Sequence, residues 1–147
     1  MLVDHKNALL EALRGRNQKL DLRDPVVAWE ALVAVVASYD YRSKKRFERF
    51  IYCLALIYTD QTGLMPGYTN SDNETRFEHF ACTVLEVVSP ETTRSKLRTA
   101  VRRIDAKNNR VFAEDIEQFR LEGARMFANL CNSTGVKPTV ATPASEN

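Results

Sequence analysis

Hydrophobic residues recur at every third or fourth position along most of this chain, the spacing that places side chains on one face of an α-helix. This pattern covers residues 3–14, 43–60, 72–88, 90–104 and 112–130. Five glycines and five prolines provide few of the turn residues that an all-β fold requires. We therefore predict an all-α fold, a single compact domain of five or six helices.

Residues 25–38 are predicted to form a further helix that is apolar almost all the way round. Asp24 can cap its first turn, and Pro25 at the first helical position loses no hydrogen bond. Glu30 is the one charged residue between positions 26 and 37. Because a helix without a polar face is typical of a helix enclosed by its neighbours, we predict that this helix lies at the centre of the core.

The predicted helix over residues 43–60 has more apolar side chains than one buried stripe needs. One stripe at helical spacing consists of Phe47, Phe50, Ile51, Leu54, Ile57 and Tyr58. The surplus lies on another face and consists of Tyr52, Cys53, Ala55 and Leu56. Two interpretations stay open: this helix is also central, or the surplus face contacts a partner or a second copy of the chain.

Capping and turn residues predict where the later helices begin. Asn70 or Ser71 can cap a helix that begins near residue 72, with acidic residues in its first turn. Pro90 suits the first position of the helix over 90–104, because its missing N–H has no acceptor there in any case. We therefore expect these two helices to begin at about residues 72 and 90.

The connections and the C-terminus complete the organisation of the chain. Residues 62–72 contain no periodic pattern, and they form either a hydrophobic plug over the core or a binding loop. Serine, threonine, glycine, proline and alanine dominate the C-terminal residues, a composition typical of disorder. We predict a helical domain over residues 1–133 and a disordered tail over residues 134–147.

Positive charge is concentrated in two short stretches, although the whole chain carries a formal net charge of only +2. Residues 41–49 contain five basic residues and one acidic residue, and residues 94–110 contain seven basic residues and one acidic residue. The rest of the chain is therefore net acidic, and the protein is charge-segregated. The residues predicted to bind a partner are Arg42, Lys44, Lys45, Arg46, Arg49, Arg94, Lys96, Arg98, Arg102 and Arg103.

Arginine falls at every fourth position of the helix over 90–104, and we expect the row Arg94, Arg98 and Arg102 to be exposed. Three interpretations of the basic stretches stay open. They are solvated faces balanced by acidic residues of the last helix, or they bind an acidic protein surface, or they bind nucleic acid. In the last case, the helix over 90–104 would be the second helix of a helix-turn-helix-like motif.

Catalytic and metal-binding chemistry has little support in this sequence. Neither His5 nor His79 has a partner at the spacing of a recognised site, since Glu78 is adjacent to His79 and not three residues before it. The HExxH motif and phosphate-cradling glycine motifs are absent. We therefore predict a protein that is not an enzyme, with no catalytic residues, no cofactor and no metal site.

The remaining composition bears on the compartment. Cys53, Cys82 and Cys131 are widely spaced and odd in number, which indicates buried thiols in a reducing cytoplasm. No signal peptide is evident, and no uncharged run is longer than 11 residues, about half of the roughly 20 residues that cross a bilayer. We expect a cytoplasmic adaptor or regulator with a protein partner and no membrane contact, with self-association through residues 43–60 as an open alternative.

Overall fold

The fold is all-α, as the hydrophobic pattern predicts. The computed structural model describes residues 2–15, 21–37, 44–66, 75–92, 94–107 and 109–122, and these ranges contain six α-helices and no strand. A 3-10 turn over Leu2–His5 precedes the first of them. The helices are α1 (Lys6–Arg14), α2 (Pro25–Ala37), α3 (Lys44–Thr62), α4 (Arg76–Val88), α5 (Arg94–Lys107) and α6 (Asn109–Glu122).

Helix α3 is the central element of the fold. It packs against each of the five other α-helices. Every residue from Cys53 to Gln61 is buried, so the face that carries Cys53, Ala55 and Leu56 belongs to the core. Of the two interpretations of this surplus, the central helix is therefore correct, and residues 53–61 offer no exposed apolar face to a second copy of the chain.

Helix α2 lies at the edge of the core, and the prediction that it is central was wrong. Its buried side chains form one stripe, Ala28, Ala31, Leu32 and Val35. Val26 is 66% exposed and Val33 is 41% exposed on the other side. An apolar sequence all round a helix does not say which side meets the core. The longer α3, with its phenylalanine, leucine and isoleucine side chains, occupies the centre.

The start of α2 is where the sequence predicts it. Asp24 Oδ1 accepts hydrogen bonds from the backbone N–H groups of Val26 at 3.1 Å and Val27 at 3.2 Å. These bonds satisfy two of the donors that a helix N-terminus leaves without a partner inside the helix. Trp29, the one tryptophan of the chain, is half-buried in the second turn, with Lys6 Nζ of α1 5.4 Å from the centre of its ring.

A buried carboxylate joins the ends of three segments. Asp60, near the end of α3, accepts a hydrogen bond from Arg23 Nη2 at 2.6 Å and another from Arg120 Nε of α6 at 2.9 Å. The neighbouring Gln61 accepts the Asp24 N–H through its side chain at 2.8 Å and the Arg23 N–H through its carbonyl at 3.0 Å. This network fixes the start of α2 and the end of α6 against α3.

Helix α4 begins at Arg76 and not near residue 72, so the predicted cap at Asn70 or Ser71 was wrong. Thr75 is the N-cap: its Oγ1 accepts the Glu78 N–H at 3.1 Å, and Glu78 Oε1 accepts the Thr75 N–H at 3.0 Å. This reciprocal pair is a capping box, which satisfies two backbone donors at once. Many single residues can cap a helix, so Asn70 or Ser71 alone does not locate its start. A threonine and a glutamate three positions apart are the more specific signal here.

Helix α5 begins at Arg94 and not at Pro90, so the predicted range of 90–104 was wrong at both ends. The Thr92 N–H donates to the Ser89 carbonyl at 3.0 Å, which closes a turn over the intervening proline and glutamate. The hydroxyls of Ser89 and Thr92 are also 2.8 Å apart. The proline therefore belongs to the connection between α4 and α5, and α5 continues to Lys107.

Several predictions concern residues that lie partly or wholly outside the described ranges. Of residues 62–72, the part up to Pro66 is described: Gly63 ends α3 with a φ of 77°, and Met65 is exposed, so Met65 is not part of a plug over the core. The continuation of the last helix to residue 130 and the tail over 134–147 lie outside those ranges and stay predictions. No helix in the described ranges is long and apolar enough to span a bilayer.

Candidate interaction surface

Arg98, the middle residue of the predicted arginine row, is an internal ion-pair partner. Its Nε lies 3.5 Å from Glu78 Oε2, and the Arg98 side chain is 19% exposed while the Glu78 side chain is 1% exposed. A buried carboxylate needs a positive neighbour, because desolvation of an isolated charge is costly. The expectation of an exposed row was therefore wrong at Arg98, which joins α5 to the capping box of α4.

The basic residues of α5 divide between its two flanks. At about 100° per residue, Arg94 and Arg98 lie on the side toward α4, whereas Lys96 and Arg103 lie on the side toward α3. Arg102 points between these two directions and is exposed. The four-residue spacing is real, but its first two arginines face α4. The residues that flank the row are the ones that meet the other basic stretch.

Two contacts join α5 to the basic end of α3. Arg103 Nη1 forms an ion pair with Glu48 Oε2, and Lys96 Nζ lies 4.5 Å from the centre of the Phe47 ring. The second contact has the geometry of a cation–π interaction. The two basic stretches, 45 residues or more apart in the sequence, therefore form one surface, which we call the basic face and define as Lys45, Arg49, Lys96, Arg102 and Arg103 around Glu48.

Not every residue of the first predicted cluster belongs to the basic face. Lys45 and Arg49 are three residues before and one residue after Glu48, so all three lie on one side of α3. Arg46, two positions before Glu48, lies about 200° away around the helix and therefore on nearly the opposite side. Arg42 and the side chain of Lys44 lie outside the described part of the chain.

A groove runs between α3 and α5 within the basic face. It has a volume of about 370 Å³ and is lined by Phe47, Glu48, Lys96, Thr99 and Ala100. Phe47 and Ala100 are buried and form its apolar floor, while Lys96 and Thr99 are exposed on its rim. Of the five, only Lys96 was among the predicted site residues. The others look like ordinary core or surface positions until the two helices are packed together.

A second groove, of about 410 Å³, lies between α4 and α5. Arg94 lines it, together with His79, Cys82, Glu86 and Thr92. Cys82 is therefore half-buried at a groove, whereas Cys53 is buried in the core as expected, and neither forms a disulfide within the described part of the chain. Across the described ranges, no three histidine, cysteine or acidic side chains form a group that could hold a metal ion.

Two acidic residues of α6, Asp115 and Glu122, form hydrogen bonds with uncharged side chains. Asp115 accepts a hydrogen bond from the Tyr52 hydroxyl of α3, and Glu122 accepts one from Gln118. Burial, and then the hydrogen bond to Asp115 and its negative charge, raise the pKa of Tyr52. Two carboxylates that pair with basic residues of α5 are Glu48 and Glu78, on α3 and α4.

Comparison of the chain with protein-family models, with curated proteins and with solved structures gave no match. The geometry of the basic face is therefore the basis for a proposed function. Cationic side chains on two packed helices, around an apolar groove, suit non-covalent binding of an anionic surface.

Proposed function

We propose that this protein is a small, non-catalytic cytoplasmic adaptor or regulator that binds an acidic protein surface through the basic face. The observation that carries the proposal is the contact of α3 with α5 through Glu48–Arg103 and Phe47–Lys96. It gathers into one area cations that are far apart in the sequence. The basic face carries a positive electrostatic potential, while the rest of the chain is net acidic. This separation of charge steers a negatively charged partner into a fixed orientation.

The alternative function, nucleic-acid binding through α5, has weaker support. Arg98 and Arg103 both pair with carboxylates of the same chain, which leaves fewer cations for phosphates. Glu48 lies within the basic face and would repel a continuous phosphate backbone, whereas a protein surface can place an uncharged group opposite it. The hydroxyl of Thr99, a candidate for contact with base edges, donates to the Ser95 carbonyl at 3.0 Å. These features favour a protein surface, where acidic and apolar groups alternate.

The test replaces three exposed cations of the basic face, Lys45, Lys96 and Arg102, by alanine. We expect the variant to bind poly-L-glutamate, a model acidic chain, at least about tenfold more weakly than the unchanged protein at low salt, because each exposed cation contributes a salt-dependent attraction. Arg98 and Arg103 are left unchanged so that the internal ion pairs persist. Binding is measured by fluorescence anisotropy over a range of salt concentrations.

A matched control replaces Lys6, Arg14 and Arg76, which lie on other parts of the molecule, by alanine. This control changes the net charge by the same amount, so a general effect of charge would weaken both variants equally. Equal binding by the two variants would contradict the basic face as the binding surface. Retention of random-sequence duplex DNA at physiological salt, without binding of polyglutamate, would favour the nucleic-acid alternative.

A further inference from the structure

The groove between α3 and α5 differs from the rest of the basic face in its local charge. Its one carboxylate, Glu48, is paired with Arg103, and its other charged group is the Lys96 ammonium, so the floor beneath that ammonium carries no charge. Its floor is the ring of Phe47 and the methyl group of Ala100. A carboxylate of a partner would gain little there and would meet Glu48, whereas an apolar side chain would cover apolar surface.

Lys96 covers this floor, and a partner can displace it. Its Nζ lies over the Phe47 ring, at the end of a flexible stem of four carbons. An exposed lysine can exchange this contact for an ion pair with an arriving carboxylate, and the ring is then open to an apolar side chain. The acidic and the apolar parts of the partner would therefore bind together.

We propose that the groove holds one apolar side chain of a partner segment whose neighbouring residues are acidic. Lys96 and Arg102, which are both exposed, are six residues apart, which is about 9 Å along α5. An extended segment spans that distance with about three residues. The partner sequence therefore places carboxylates on either side of the apolar residue, and this order fixes its register on the basic face. This inference rests on the proposed function and adds the chemistry of the partner to it.

The experiment compares two labelled oligoglutamate peptides, one with a single central leucine and the other with a single central serine. We expect the unchanged protein to bind the leucine peptide about tenfold more tightly, since burial of a leucine side chain contributes at least that factor. Thr99→Trp, at an exposed position on the rim, fills the groove and should reduce the ratio of the two affinities to about one.

Ser95→Trp is the control, because Ser95 is exposed one turn earlier on α5 and does not line the groove. We expect it to keep the preference for leucine. The comparison of the two peptides uses the unchanged protein, so it does not depend on whether any variant folds. Circular dichroism checks that both tryptophan variants are helical.

The outcomes separate this inference from the proposed function. Equal binding of the two peptides by the unchanged protein, with loss of both in the Lys45, Lys96 and Arg102 variant, overturns the groove and supports the basic face. A preference for leucine that survives Thr99→Trp overturns the location of the apolar site. If neither peptide binds the unchanged protein, the proposed function itself fails.

Discussion

At the scale of single residues, the ion pairs of this protein are asymmetric. Asp60 is fully buried as a side chain, while its partners Arg23 and Arg120 are 43% and 47% exposed. Loss of the carboxylate leaves two arginines that water can solvate. Loss of the arginines leaves a buried charge with Gln61 Nε2 as its remaining described donor, at 3.2 Å. The two changes remove the same contacts but have different costs.

We expect Arg23→Ala combined with Arg120→Ala to lower the free energy of unfolding by about 3–5 kcal/mol, the usual cost of leaving a buried charge without its partner. Asp60→Asn should cost less, about 1–3 kcal/mol. Urea denaturation measures both values. Arg14→Ala, which removes an exposed ion pair with Glu11 at 3.9 Å, should change stability by less than about 1 kcal/mol.

A larger loss for Asp60→Asn than for the double arginine variant would contradict the asymmetry. Such a result would mean that the arginines, and not the carboxylate, carry the cost of burial. The arginine variants keep the hydrogen bonds from the backbone of residues 23 and 24 to Gln61, so the change reports on the charges.

These ion-pair partners could not be predicted from the sequence. The periodic arginines predict one face of α5, but nothing local shows that Glu78 of another helix would be buried opposite Arg98. Asp60 appears in the sequence as an ordinary acidic residue at the end of an apolar run. Pairing between residues distant in the chain depends on how the helices pack, and the helical period carries no information about that.

At the scale of elements, the hydrophobic period located the helices well and their environments less well. All six helices lie close to the predicted segments, because a 3.6-residue period over three or more turns is a strong signal. The helix start predicted at Asp24 and Pro25 was correct because Asp24 caps that turn, whereas the start predicted at Pro90 was wrong. The prediction of which helix is central was wrong because α2 and α3 are both rich in apolar residues. Their hydrophobic patterns alone do not show which of the two is more deeply buried.

The edge position of α2 makes neighbouring residues respond differently to substitution. Leu32 is buried, whereas Val33 is 41% exposed. We expect Leu32→Ala to lower the free energy of unfolding by about 2–5 kcal/mol through the cavity that it leaves. Val33→Ala should change it by less than about 0.5 kcal/mol. Thermal and urea unfolding of the two variants would measure this, and equal losses would place α2 back at the centre of the core.

At the scale of the whole molecule, two tyrosines link stability to alkaline pH. Burial raises the pKa of Tyr58, with Arg76 acting in the opposite direction, and burial together with Asp115 raises the pKa of Tyr52. A raised pKa means that the folded protein keeps the hydroxyl proton when the unfolded chain has lost it. The contribution of each tyrosine is therefore complete below its ordinary pKa of about 10 and is lost as pH rises above that value.

We expect the free energy of unfolding to fall as pH rises above about 10, and Tyr52→Phe to make that fall shallower. At neutral pH the same substitution should cost about 1 kcal/mol, because the hydrogen bond to Asp115 is lost. Urea denaturation across this pH range measures both effects. Asp115→Asn keeps a hydrogen-bond acceptor for Tyr52 but removes the negative charge. The decrease of its unfolding free energy with pH should therefore lie between those of the unchanged protein and Tyr52→Phe. Identical slopes for all three proteins would contradict the assignment.

The whole molecule also has charged groups at both ends of α3, with mostly buried residues between them. Its first turns carry Lys45, Glu48 and Arg49, and its last turn carries Asp60 and Gln61. The charge segregation was evident from the sequence, whereas the joining of its two stretches depended on the packing of α5 against α3. That contact joins residues distant in the chain, and no motif in either helix predicts it.

Trp29 gives this arrangement a spectroscopic use. As the single tryptophan, half-buried on α2 beneath the Lys6 ammonium, it is a fluorophore whose emission follows the contact between α1 and α2. Helix α2 contributes no residue to the basic face. Emission from Trp29 can therefore serve as an internal reference for the folded state in the same cuvette in which a labelled ligand reports on occupancy, provided that the variant under study introduces no second indole.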